Sequence, residues 1–231
     1  MAGTRSAELV RPAKQARSRE TRDRLLAAGR ELLEGGAFEE THVADIVKNA
    51  GCSVGAFYQR FPDKEAFFTV LIETAVAEIA ADAKQFAADE SRSGAPIQET
   101  LTNCMRHWAK IFKKYQRMYQ TVLKRTLHGN DSWAPLRELG PLSLKYIIDM
   151  LAEKCGQAES VSFRYRASAG FQIVFGTMIN ATMHKTVLLN LDSEELIAWS
   201  SETLRHCILD ELPEIVLKHG YTGSLLNTRT R

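Results

Sequence analysis

Between Thr41 and Lys64 the sequence reads THVADIVKNAGCSVGAFYQRFPDK, and its side chains suit contact with a partner rather than bond making. Phe57 and Phe61 lie four residues apart and can anchor the inner face of a short helix. Val54, Gly55, Tyr58 and Gln59 are then left to face outward. A helical glycine costs about 1 kcal/mol relative to alanine, so Gly55 makes sense where a backbone must come close to something. Lys64 falls in the first turn of the next helix, where a cation opposes the helix dipole. That makes it a candidate for holding an anion such as phosphate, with a solvated lysine as the plain alternative. Elsewhere there is no nucleophile elbow, phosphate loop, HExxH or dinucleotide fingerprint. His206-Cys207 and the scattered carboxylates point to no reaction. No catalytic residue, cofactor or metal is expected, and the chain reads as a non-enzyme.

Three helices must position these residues. The first starts near Ser18, a plausible N-cap, and repeats Leu25, Leu26, Leu32 and Leu33 at helical spacing before Gly35-Gly36 stops it. Phe38 returns the chain to the core. Thr41 stands where the second helix needs an N-cap, and Val43, Ile46, Val47 and Ala50 form its apolar stripe. Asp45 in the first turn and Lys48 in the last suit the dipole. Asn49-Ala50-Gly51 ends it, with Gly51 free to turn left-handed. Ser53 caps the third, which at about two turns is too short to stand alone. Two short helices, a glycine turn and a three-helix core are the ingredients of a helix-turn-helix whose second helix enters the major groove of DNA. A compact helical hairpin without such a partner is the competing reading.

The remaining sequence predicts an all-α chain of about nine helices, with no alternating strand and no repeat. Pro62 ends the third helix and Asp63 caps a long one to about residue 88. A polar Ser/Gly/Pro linker at 89–97 marks a boundary. Helices follow at about 98–114, 116–127, 133–154, 161–187 and 193–211. Pro141 either begins the main part of the 133–154 helix or kinks it. Residues 1–17 carry four basic groups against Glu8 and read as a disordered arm that can touch phosphate or the minor groove. Residues 18–78 form the DNA-binding domain, with the helix-turn-helix at about 41–61. Residues 79–213 form the larger second domain, and 214–231 a partly disordered tail.

The net charge of +2 is too small for a diffuse nucleic-acid footprint, so any such contact must come from a few placed groups. No apolar run approaches the roughly 20 residues of a membrane span. The N-terminus has no signal-peptide pattern, so a cytoplasmic location is expected. Cys52, Cys104, Cys155 and Cys207 are widely spaced, without CxxC, and read as reduced packed thiols.

The stretch T-x-x-x-I-x-x-x-A-G-C-S-V-G-A-F-Y-x-x-F-P-D-K-E, preceded by Leu25, Ala28 and Leu32, resembles the TetR family of bacterial transcriptional regulators over about residues 18–78. The resemblance implies a homodimer on a palindromic DNA operator, with Ser53–Phe61 as recognition helix. Thr41, Tyr58 and Lys64 would hold phosphate, while Ser53, Val54 and Gly55 face base edges. Ala56 departs from the hydroxyl residue common there, and Cys52 from a common valine. The resemblance further implies that the last two long helices dimerise, with Ala169, Gly176 and Ile179 as the flat side of the first. Trp108, Phe112, Tyr146, Phe171, Phe175 and Met178 would then line a cavity for a small apolar or aromatic effector, although such stripes also make ordinary cores. His107, Asn103, Asn180 and His184 could add polar contacts. The expected function is a ligand-responsive regulator, acting as a repressor, with no membrane partner. The rival readings are a helical protein-interaction adaptor and, further off, an enzyme.

Overall fold

The computed structural model describes residues 5–184 and 188–210, and of residues 5–17 the backbone alone. The described residues form helices α1 (Arg5–Glu34), α2 (Val43–Asn49), α3 (Val54–Tyr58), α4 (Lys64–Arg92), α5 (Ile97–Lys114), α6 (Gln116–Leu127), α7 (Ala134–Lys154), α8 (Val161–Met183) and α9 (Glu194–Leu209). Among them there is no strand. The all-α class and the helix count agree with the sequence reading.

Several ends differ. α1 begins at Arg5, so it includes residues assigned above to the arm, and Ser18 lies inside a helix rather than capping one. His42, not Thr41, is the N-cap of α2; the Thr41 hydroxyl instead donates to the Ala37 carbonyl at 2.6 Å. α4 continues to Arg92, which shortens the linker, and Pro141 sits within one helix, α7. The tail 214–231 lies outside the described residues.

The chain divides into two compact units. The first comprises residues up to Ala80 together with Tyr115–Pro141, and the second Ala81–Lys114 with the residues from Leu142 onward. The sequence reading assigns residues 79–213 to one domain, whereas α6 falls in the first unit. The reason is long-range packing: α6 lies against α1 and buries Met118, Tyr119 and Val122.

The first unit is held by a ring cluster. Phe67 meets Phe57 at 5.3 Å and Phe61 at 4.9 Å, and Phe38 meets Phe68 at 5.2 Å. α1 passes so close that a Cβ on Gly29 would lie 2.6 Å from the Phe67 ring and 2.8 Å from Leu71. Phe67 is boxed in by other rings and cannot swing away. Gly29→Ala is therefore expected to destabilise the fold, since overpacking of about 1–3 kcal/mol outweighs roughly 1 kcal/mol of helix propensity. A lower thermal midpoint checks this; an unchanged or higher one contradicts it.

In the second unit α8, α9 and α5 pack together. Ser160 and Ser193 cap α8 and α9, each accepting from a backbone N–H three residues on. Gly170 is the close approach between α8 and α9: a Cβ there would meet Leu204 at 2.8 Å.

Candidate nucleic-acid interface

The turn between α2 and α3 is built by local bonds. The Gly51 N–H donates to the Lys48 carbonyl at 3.1 Å and Cys52 N–H to Val47 at 2.8 Å. This 5→2 and 6→1 pair ends a helix on a left-handed residue, and Gly51 has φ +60°. Ser53 then turns the chain into α3, its hydroxyl accepting from the Ala56 N–H at 3.1 Å. The Cys52 thiol is half-buried and donates to the Ala50 carbonyl at 3.3 Å.

α3 has five residues, and Phe57 is its one buried side chain. Val54, Gly55 and Tyr58 are exposed on the opposite side, with Ser53 and Gln59 exposed at its ends. Tyr58 is 54% exposed, a large aromatic on a helix with little else to hold it. Around Gly55 the nearest atom to an added Cβ is Ser53 Oγ at 3.9 Å. The space is open, so nothing in the fold requires glycine there.

Thr41 and Lys64 stand apart from this face in their bonding. Both are tied to the turn between α1 and α2. The Lys64 Nζ donates to the Glu39 carbonyl at 2.8 Å and lies 4.9 Å from the Phe38 ring centre. Partial burial lowers the Lys64 pKa, opposed by the charge of Glu39. Arg125 of α6 frames the same corner. It pairs with Glu39 at 3.1 Å and with Glu65, and its guanidinium sits 4.2 Å from the Phe68 ring.

Residues that sequence reasoning passed over also shape the interface. Arg60 donates to the Ser18 carbonyl and to the Ala56 carbonyl, joining the end of α3 to α1. Arg24 donates to the Gly51 carbonyl at 3.3 Å. Neither arginine stands in a pattern that a local reading can assign.

In the second unit Trp108, Phe112 and Phe171 each meet Phe175, at 4.7, 5.4 and 5.6 Å between ring centres. Met178 is buried. Tyr146 is not brought to these rings by any described ring contact; Lys84 lies 5.8 Å from its centre. Asn103 is engaged by the buried Glu90, and Asn180 and His184 are exposed. On α8, Gly176 is exposed and Ala169 and Ile179 are half-buried. Ile173 (56% exposed) and Trp199 of α9 (67% exposed) are exposed apolar groups that the sequence reading did not single out. Cys104 is fully buried, which pushes its thiol pKa up, and burial acts the same way on Cys155 and Cys207. Among the described residues no group of His, Cys, Asp or Glu could hold a metal, and no helix is long and apolar enough to cross a membrane.

Residues 25–71 match the family model described as bacterial regulatory proteins, tetR family. A search of curated proteins gives no match. Among solved structures, the chain is similar to one from Mesorhizobium loti assigned to the TetR-family transcriptional regulators. That likeness has a TM-score of 0.68 at 14% identity, over 83% of this chain and 96% of that one. It is also similar to the transcriptional regulator FadR from Bacillus subtilis, solved in complex with stearoyl-CoA: TM-score 0.55, 18% identity, 82% of this chain and 98% of that one. A TetR transcriptional regulator from Rhodococcus sp. RHA1 gives a TM-score of 0.53 at 15% identity, over 84% and 98%. At these identities the likeness is one of fold.

Proposed function

We propose that this chain, which carries the TetR-family helix-turn-helix domain and shares the fold of that family's regulators, is a ligand-responsive transcriptional repressor acting as a homodimer. The observation that carries the DNA-binding reading is the outer face of α3. Val54, Gly55 and Tyr58 are exposed on a helix that buries one side chain, an arrangement poor for stability and suited to a major groove. Tyr58 holds a phosphate, and the open backbone at Gly55 approaches base edges together with Ser53 and Val54. Thr41 and Lys64 act at the ends of this face, Lys64 exchanging its Glu39 carbonyl for phosphate.

Two copies must present α3 at a separation of roughly 34–36 Å, one turn of DNA, or a multiple of it. The apolar stripe of Ala169, Ile173 and Gly176 on α8, with Trp199 on α9, supplies the contact between copies. The Trp108–Phe112–Phe171–Phe175 cluster takes the effector. Its apolar character fits the kind of molecule the Bacillus subtilis FadR holds, whose acyl chain is apolar. Effector binding opposes operator binding only as far as it prefers a different spacing of the two α3 helices. α4 runs unbroken from Lys64 to Arg92 and is the element that conveys the change.

The test uses a duplex selected by the protein from random-sequence DNA. Tyr58→Ala is expected to weaken binding about tenfold or more, equivalent to roughly 1.4 kcal/mol, while thermal stability changes little because the residue is exposed. Gly55→Ala should gain slightly in stability yet bind the duplex less well. Selection of no preferred duplex, or unchanged affinity in both variants, would sink the DNA-binding reading. The switch reading fails separately if stearoyl-CoA and simple aromatic ketones bind without altering duplex affinity.

A further inference from the structure

Trp108 lies on α5, only 2% exposed, with its ring at 4.7 Å and 62° to Phe175 and at 5.9 Å and 74° to His107. Its Nε1–H is buried and has no hydrogen-bond partner among the described residues. A buried donor left unpaired costs about 1–3 kcal/mol, and tryptophans inside proteins normally find a partner for this group. Phenylalanine would keep the apolar packing without that penalty. The neighbouring His107 also has a buried Nε2 without a hydrogen-bond partner among the described residues, but a carboxylate lies near it. It stacks on Phe86 at 4.1 Å, and its Nε2 lies 3.6 Å from the Asp82 carboxylate.

The indole nitrogen can only donate, so what satisfies it must carry an acceptor. Four basic residues of this unit are committed to carboxylates: Arg106 to Glu194, Lys113 to Asp192, Arg164 to Asp149, Arg205 to Glu202 and Asp210. Arg166 donates to the Asp210 carbonyl, and Lys84 and Lys110 are exposed to water. Burial also favours the uncharged form of His107. An anionic acceptor beside Trp108 would be stripped of water with no cation opposite it, at a cost of several kcal/mol. A neutral acceptor avoids that cost. The surrounding rings meet Phe175 at steep angles of 62–65°, a geometry that a further aromatic ring can extend.

We propose that the effector is an uncharged aromatic molecule bearing one carbonyl-type acceptor, an aromatic ketone or ester, and that the Trp108 indole N–H donates to it. This rests on the aromatic cluster being the effector site.

The experiment uses the full-length protein with 15N-labelled tryptophan and three probes of similar size: acetophenone, ethylbenzene and benzoate. The chain has three tryptophans, so Trp133→Phe and Trp199→Phe identify the Trp108 indole resonance by elimination. Acetophenone is expected to move that resonance downfield and to bind about tenfold more tightly than ethylbenzene, with benzoate no better than ethylbenzene. In Trp108→Phe, acetophenone should lose about tenfold in affinity and ethylbenzene should be unaffected. If that variant does not fold, the contrast among the three probes in the unaltered protein decides the matter. Equal affinities for acetophenone and ethylbenzene, an unmoved indole resonance, preference for benzoate, or no binding of acetophenone at millimolar concentration each overturns the proposal. The regulator reading is separated by its own readout. Acetophenone bound through Trp108 without effect on duplex affinity defeats the switch and leaves the site standing; a duplex response without movement of Trp108 does the reverse.

Discussion

Replacing Glu39 and Glu65 together by alanine is expected to destabilise the protein by about 3–5 kcal/mol, well beyond what Arg125→Met costs. Arg125 is 6% exposed, whereas the Glu39 and Glu65 side chains keep 34% and 64% of their surface. The Arg125 Nε is already without a partner among the described residues. Without both carboxylates the guanidinium would stay buried and unpaired, which is the expensive way to break an ion pair. Lys64 makes this worse, because Arg125 and Lys64 already repel each other and Glu39 and Glu65 offset that repulsion. Arg125→Met leaves the opposite imbalance, two carboxylates that can turn to water, and the methionine can pack on Phe68. A loss of about 1–2 kcal/mol is expected there. Denaturant midpoints of the two variants measure the asymmetry, and equal losses would refute it. Duplex binding should also weaken in the double variant, because Lys64 bonds the Glu39 backbone in this corner.

Phe57→Ala is the second large effect, about 3–5 kcal/mol by loss of a buried ring and the void it leaves. Phe57 is fully buried and is the one core contact of α3; it meets Phe61 at 5.4 Å and Phe67 at 5.3 Å. A five-residue helix has no stability of its own, so losing this anchor should release α3 before the rest of the domain unfolds. Faster amide exchange over residues 53–61 than over α1 and α4 would mark that local release. Duplex binding should be abolished at temperatures where the variant is still folded. An α3 that stays protected while the whole domain loses stability uniformly would contradict this account. Phe57→Ala and Tyr58→Ala thus separate two neighbours, one holding the helix and one facing outward.

Much of the first unit was legible in order of residues because its signals are local. Gly51 ends α2, Ser53 caps α3, and the Asp63 carboxylate accepts from the Ala66 N–H at 2.7 Å to start α4. The four-residue step from Phe57 to Phe61 separates the inner and outer faces of α3 without knowledge of any neighbour. The tie of Thr41 to Ala37 was not legible, since local preference makes Thr41 the N-cap of α2 and only the packing of the preceding turn moves the cap to His42. α8 shows the same limit. Its small and large residues alternate without a strong stripe, and only the close approach of α9 to Gly170 fixes which side is inner. Ile173 and Trp199 then emerge as the outer side.

By itself the sequence determined the all-helical class, the helix-turn-helix and the identity of the residues on its outer face, because caps, glycine turns and 3.6-residue periodicity act over a few positions. The tertiary structure decided what those residues are bonded to and which helices share a unit. α6 joins the first unit through buried side chains and through Arg125, which reaches Glu39 across 86 positions and Glu65 across 60. Contacts at such separations are set by the packing of whole helices, and no local spacing encodes them. The same holds for the Trp108 indole. Its type was plain in the sequence, but that its N–H is buried beside the rings of Phe175 and His107, without a partner among the described residues, is a property of the side chains the fold gathers around it.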